Sequence, residues 1–148
     1  METENGFRGE YGFLSNFAPF DKPFLYDGIR YPTNEHFYQA MKFKDRELRF
    51  SVSQHPSKGL KKFISTKSEL IRDDWEEIKV DVMRHGLNYK FSANNPQLRK
   101  KLADTDKTDL VEYNWWNDKF WGVSLKDNKG RNTLGKLLME IRGKINEE

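Results

Sequence analysis

Phe24-Leu25-Tyr26-Asp27-Gly28-Ile29-Arg30-Tyr31 sets an Asp-Gly pair between two aromatic and aliphatic arms. A two-residue hairpin turn needs positive φ at its centre, which Asp and Gly tolerate, so this octet predicts two paired strands. Pro32 lacks an N–H for the ladder and closes the second strand, and Thr33 or Asn34 can cap a helix that starts at Glu35. The chain must therefore turn, pair and enter a helix within a few residues. Downstream, the pattern is helical. The first helix is expected from Glu35 to about Arg49, and a second from Pro56 to Ile64. A third opens at Asp73, with Glu76 placed as in a capping box, and runs to about Phe91 with Trp75, Ile78, Val82 and Met83 at helical spacing. Asn95-Pro96 starts a short helix to Leu102, Asp109 to Glu112 reads as a strand, and an aromatic loop spans Tyr113 to Gly122. A last helix begins near Asn132 or Thr133 and carries Leu134, Leu137, Leu138, Ile141 and Ile145 on one face. The expected class is mainly α, an α+β chain with a small N-terminal β element, in one compact domain over 1–148.

Composition narrows the chemistry. A chain of 148 residues buries roughly 68–70% of its unfolded surface, so it folds without metals or disulfides. With no cysteine, there is no disulfide framework, thiol nucleophile or Cys-ligated zinc. His36, His55 and His85 are scattered, which argues against a histidine metal site, while magnesium on carboxylates stays open. Met1 to Gly6 has no basic and apolar signal pattern, and no stretch nears the ~20 apolar residues of a membrane span, so a soluble, cytoplasmic protein without an obligate protein partner is expected. A net charge of +3 says little, and the basic runs at Lys58 to Lys67 and Arg99-Lys100-Lys101 read as exposed helix faces. The aromatic content of 14% exceeds what a small core needs and suits stacking on flat ligands.

Four segments are candidates for chemistry. Glu35, Gln39 and Lys42 recur at i, i+4 and i+7 between Phe37, Tyr38, Met41 and Phe43. The same spacing describes a solvated stripe; set among aromatics, it also describes a partly desolvated carboxylate that activates water or stabilises a cation. Arg8 to Phe17 is the second: Arg8 suits phosphate, Gly9 and Gly12 allow close approach, and Asn16 both donates and accepts, although an ordinary tight turn has the same look. The third, Asn114 to Gly122, holds Trp115, Trp116 and Trp121, either a wall for a flat ligand or a core corner. The fourth, Gly130-Arg131-Asn132-Thr133, precedes a helix whose N-terminus could receive phosphate.

Gly12-Phe13-Leu14-Ser15-Asn16-Phe17 and Tyr31-Pro32-Thr33-Asn34-Glu35-His36-Phe37-Tyr38-Gln39-Ala40-Met41-Lys42-Phe43 resemble the two signature segments of the NADAR family and its YbiA-like branch. Further matches follow in order: Arg72-Asp73-Asp74-Trp75, Met83, Lys90-Phe91, Leu98, Leu110-Val111-Glu112, Asn117-Asp118, Phe120-Trp121-Gly122 and Gly130 to Gly135. The resemblance covers nearly the whole chain. It implies a mainly α, YbiA-like domain with N-glycosidase activity on ribosyl compounds, either riboflavin-pathway phosphoribosylamino-pyrimidines or ADP-ribose attached to guanine in DNA. Glu35, Trp75 and Asp118 match the family's catalytic glutamate, tryptophan and aspartate, and Lys42 matches a lysine suspected of attacking the opened ribose. Arg8, Gly9, Asn16, Phe17, His36 and Gln39 are the substrate contacts expected in the first half. Trp121, Gly122, Arg131 and Asn132 are those expected in the second. No metal or redox cofactor is required. Asn114-Trp115-Trp116 departs from the shorter, more polar YbiA-like segment, which leaves base preference open.

Two other classes share these features. A non-catalytic ADP-ribose or nucleotide-binding module would use the same aromatic walls, but it would not need Glu35, Trp75 and Asp118 together. A general single-stranded nucleic-acid binder would use Trp115, Trp116 and the basic helices and would lose affinity steeply with salt; the near-balanced charge counts against it.

Overall fold

A computed structural model describes residues 6–148. The opening residues 1–5, most of the stretch read above as lacking a secretory signal, lie outside the described residues. The chain packs as two units, one formed by residues 16–95 and the other by 6–15 with Pro96–Glu148.

In the first unit, β1 (Pro19–Tyr26) and β2 (Ile29–Thr33) form the expected antiparallel hairpin, with Phe24 opposite Tyr31 and Tyr26 opposite Ile29. Asp27 and Gly28 both turn at positive φ, 50° and 77°, the two-residue geometry that matches strand twist. β2 buries Ile29, Tyr31 and Thr33 and exposes Arg30 and Pro32, so the strand runs through the proline rather than stopping before it. Thr33 then caps α1 (Asn34–Ala40), its side chain accepting the His36 amide. All seven residues of α1 are buried. A helix apolar on one stripe faces solvent on the other; one enclosed all round must satisfy its polar side chains internally.

The single helix expected from Glu35 to Arg49 is two. The amides of Lys42 and Phe43 bond back only to Gln39 and Ala40, which tightens and ends the first helix. Asp45 then caps a second, α2 (Arg46–Gln54), by accepting from Glu47 and Leu48. The freed carbonyls of Lys42 and Phe43 accept from the Arg72 amide at 2.8 Å and the Arg49 Nε at 2.6 Å. The helix expected from Pro56 begins only at Leu60, as α3 (Leu60–Ser65), because Gly59 sits in the left-handed region at φ 82°. α4 (Trp75–Lys90) starts just after the predicted Asp73 and lacks the predicted capping box: the cap position is Asp74, whose carboxylate pairs with Arg72 at 2.6 Å, and Glu76 pairs with Lys79. α4 meets α1 at Gly86, where any side chain would collide with the Asn34 amide. Around that contact lies an aromatic cluster in which Phe24 stacks on Tyr89 at 4.2 Å and tilts against Phe37 at 4.9 Å.

The second unit contains a 3-10 turn over Gly9–Leu14, α5 (Pro96–Asp104), the short parallel pair β3 (Tyr113–Asn114) and β4 (Val123–Ser124), and α6 (Thr133–Asn146). α5 packs on α6, whose Leu134, Leu137, Leu138 and Ile141 are buried as their spacing predicts. The strand expected at Asp109 to Glu112 does not form as a strand: Asp109 makes an isolated bridge, and β3 begins at Tyr113. The Asn132 side chain takes the place of a neighbouring strand there, accepting from the Glu112 amide at 3.0 Å and donating to the Leu110 carbonyl at 2.9 Å. The fold is mainly α with small sheets, and the second sheet is an addition to the N-terminal β element foreseen. Among the described residues no helix is long and apolar enough to cross a membrane.

Candidate active site

The hairpin and the Thr33 cap deliver Glu35 into the first turn of α1, where the N-terminal end of the helix dipole favours a carboxylate. Its backbone amide donates to the Asn16 carbonyl at 2.9 Å, so the first signature segment pins the start of the second. Glu35 is only 6% exposed, and the Gln39 Nε2 donates to its Oε2 at 2.6 Å. The predicted i, i+4 pairing is thus real, but it is buried rather than a solvated stripe. The Gln39 Oε1 and the Asn34 Oδ1 are buried without a protein partner.

Lys42 lies past the end of α1, so it is not the i+7 member of a continuous helix. Its ammonium nevertheless sits over two rings, 5.7 Å from the Tyr38 centroid and 5.9 Å from that of Trp75. These rings meet edge to face at 5.0 Å. Burial pushes the Lys42 amine below the ordinary lysine range, the Glu35 carboxylate opposes that shift, and Lys61 adds to it. Trp75, at 8% exposure in the first turn of α4, is packed rather than open. Glu35, Gln39, Lys42, Tyr38 and Trp75 therefore form one cluster inside the first unit: a carboxylate and an amine of depressed basicity against aromatic walls. Such a set can stabilise positive charge, orient water or present a nucleophilic amine.

His36, expected to touch substrate, has both ring nitrogens engaged. Nε2 is 2.7 Å from the His55 carbonyl, which can only accept, so Nε2 carries the hydrogen. Nδ1 is then an acceptor for the Thr33 hydroxyl at 2.7 Å. Burial lowers its basicity, and the ring ties α1 to the end of α2 as a neutral imidazole. Asn16 is likewise occupied, its Oδ1 accepting from Asn34 at 3.0 Å, while Phe17 lies under the Lys61 ammonium at 5.8 Å. Asn34 carried only a capping signal in sequence; its role as a buried polar anchor, also bonded to the Met83 sulfur, depends on the Gly86 contact and is not legible locally.

In the second unit, Asn114 is fully buried and clamps the loop after it: its amide donates to the Asp118 carbonyl and accepts from the Asp118 amide, each at 2.9 Å. The Asp118 Oδ1 accepts from the amides of Phe120 and Trp121 at 3.0 Å, and so caps the next turn. Trp121 packs edge to face on Phe120 at 4.9 Å. A side chain at Gly122 would strike the Glu112 carbonyl and the Asn114 amide, so close chain packing requires glycine here. Asn132, expected to contact phosphate, has its side chain bonded to the Leu110 and Glu112 backbone. Arg131 is exposed over Phe120 at 5.6 Å. Arg8 is exposed, lies over Trp116 at 5.6 Å and donates to the Tyr113 carbonyl, and Gly9 beside it is exposed at φ 58°. Among the described residues no group of three or more His, Asp or Glu could hold a metal ion.

Comparison with known proteins bears on the family and the fold. The NADAR domain model matches residues 4–146. The N-glycosidase YbiA of Escherichia coli (strain K12) is 38% identical over 137 residues, spanning 92% of this chain and 82% of that protein. A riboflavin biosynthesis protein of Vibrio vulnificus (strain YJ016) is 37% identical over 93% of this chain, which corresponds to 36% of that longer protein. The NMR structure of E. coli YbiA superposes with a TM-score of 0.78 at 36% identity, covering 96% of this chain and 84% of that one. With its signature segments building a buried carboxylate–amide–lysine cluster and a family model spanning almost its full length, the chain belongs to the NADAR domain family.

Proposed function

We propose that this chain is an N-glycosidase that hydrolyses the C–N bond between a phosphorylated ribose and a base. The observation that carries the reading is the buried Glu35 carboxylate, held by Gln39 and facing a lysine that burial has made less basic. The names of relatives, N-glycosidase and riboflavin biosynthesis protein, support the same chemistry. Breaking the bond builds positive charge at the anomeric carbon, which a carboxylate in a dry site stabilises. In this mechanism water adds its oxygen to that carbon while the C–N bond breaks. Glu35 accepts one water proton, which passes to the departing nitrogen. Trp75 lies against the base, and Lys42 supplies positive charge to phosphate or hydroxyl oxygens. Asp118 is the second proposed acid-base or hydroxyl-binding group, with Arg8 and Arg131 as phosphate donors. Neither a metal nor a redox cofactor enters these steps.

Two substrates separate the possibilities: DNA carrying ADP-ribosyl-guanine, and a riboflavin-pathway phosphoribosylamino-pyrimidine. Release of free base from either supports the N-glycosidase; binding of both without turnover supports a nucleotide-binding module instead. The role of Lys42 is tested with borohydride. An amine that attacks an opened sugar forms a Schiff base, which reduction traps as a ribosyl adduct on Lys42. With Lys42 acting as a cation, no adduct forms and Lys42→Arg keeps activity within about tenfold. A trapped adduct together with an inactive Lys42→Arg would establish the covalent route.

A further inference from the structure

The second unit presents two of the most exposed large apolar side chains among the described residues, Trp115 at 66% and Trp116 at 56%, next to one another in sequence. Exposed tryptophans are costly, and a neighbouring pair marks a surface that meets something. They do not project from a slack segment. Asn114, buried to the last atom, closes the loop on the Asp118 peptide with two hydrogen bonds, Asn117 completes it at φ 65°, and Asp118 caps the turn that follows. Polar groups that could have shielded the rings are used instead to hold the loop that exhibits them.

The charges around the loop indicate the occupant. Arg8 lies over the Trp116 ring at 5.6 Å, and Arg131, whose amide bonds to the Lys119 carbonyl of the same loop, lies over Phe120 at 5.6 Å. A guanidinium on an aromatic face extends the flat stacking surface and keeps donors for phosphate. The residues 112–131 hold three carboxylates. Lys119, Lys126, Lys129 and Arg131 outnumber them in the same span, Asp127 is paired with Lys119, and Arg8 adds a further positive charge, so the surface keeps a net positive balance. Planar rings on a fixed loop with bordering arginines suit a ligand that alternates flat faces with negative charges.

We propose that Trp115 and Trp116 form a stacking platform for the unpaired bases of single-stranded nucleic acid, with Arg8 and Arg131 on its phosphates. This deepens the N-glycosidase reading by making the substrate a polymer, and it rests on that reading only for which bond is cut. The platform holds the strand that flanks the ribosylated base and does not itself contact the bond broken.

The test measures binding of a fluorescein-labelled oligothymidine by anisotropy, without catalysis. The wild-type chain should bind the single strand and bind a duplex of equal length at least tenfold more weakly. W115A and W116A should each weaken single-strand binding by about 5- to 150-fold, the loss of one stacked base. Their melting temperatures should match the wild type, since both side chains are exposed. Two phosphate contacts predict a slope of log affinity against log salt near −1.4, from about −0.7 per contact on a single strand. Equal binding to duplex, or unchanged binding in W115A/W116A, would overturn the platform. So would a shift of the wild-type chain to a dimer that W115A/W116A abolishes, since the face would then be a protein interface. In parallel, base release from the small phosphoribosylamino-pyrimidine should be equal in the wild type and W115A. If no substrate is cleaved while oligothymidine still binds through the two tryptophans, the N-glycosidase reading fails and the platform stands.

Discussion

α1 and the loop from Asn114 to Gly122 treat polar groups in opposite ways. In α1 every residue is buried, and the Gln39 Oε1 and Asn34 Oδ1 have no protein partner. In the loop, Asn114 and Asp118 spend their side chains on backbone, while Trp115 and Trp116 remain exposed. An unpartnered buried acceptor costs about 1–3 kcal/mol, and an exposed tryptophan leaves a large apolar face in water. One region is therefore organised around a charge, the other around a surface.

The contrast can be broken first at Trp75. Because it is packed against Tyr38, Trp75→Ala should cost about 3–5 kcal/mol of stability, read as a drop in Tm, while Trp75→Phe keeps most of the fold. A normal Tm with weakened substrate binding would make Trp75 a ligand wall only, and the first cluster less closed than its burial indicates.

Glu35→Gln comes next. It keeps size and the contact to Gln39 but removes the charge, so turnover should fall by on the order of 100-fold or more with binding largely retained. Near-normal turnover in a folded variant would remove α1 from the chemistry altogether.

On the loop side, Asn114→Ala strands the Asp118 amide and carbonyl and should cost about 1–3 kcal/mol, with faster amide exchange confined to residues 115–118. Exchange unchanged there would mean that the tryptophans are not held by this clamp.

The smallest effect belongs to His36. Its folded-state basicity lies below the ordinary value of 6.5 because burial disfavours the cation. Its neutral form is thus a stabilising contact above pH 6.5, and that contribution is lost as pH falls below 6.5 and the unfolded chain takes up the proton first. The difference in stability between the wild type and His36→Gln should therefore shrink as pH falls from 7 to 5. A difference that grows instead would mean that His36 is charged in the fold.

Local chemistry made several parts legible. Asp27-Gly28 dictated the hairpin, Thr33 the start of α1, and the leucine spacing the buried face of α6. Each depends on residues within a turn or two of one another. The signature segments likewise pointed to Glu35, Gln39 and Lys42 together, and the resemblance they carry is the family the chain belongs to.

The break after Ala40 was decided elsewhere, because the Lys42 carbonyl is taken by the Arg72 amide, a partner thirty residues away in sequence. The same holds for Asn132, whose side chain bonds to the Glu112 and Leu110 backbone, 20 and 22 residues away in sequence. Whether Glu35 lies in a dry cluster or on a wet stripe also depended on tertiary packing, since spacing is identical for both. Periodicity says which residues share a face; only the elements packed against that face determine whether water reaches it, and desolvation is what lowers the basicity of Lys42.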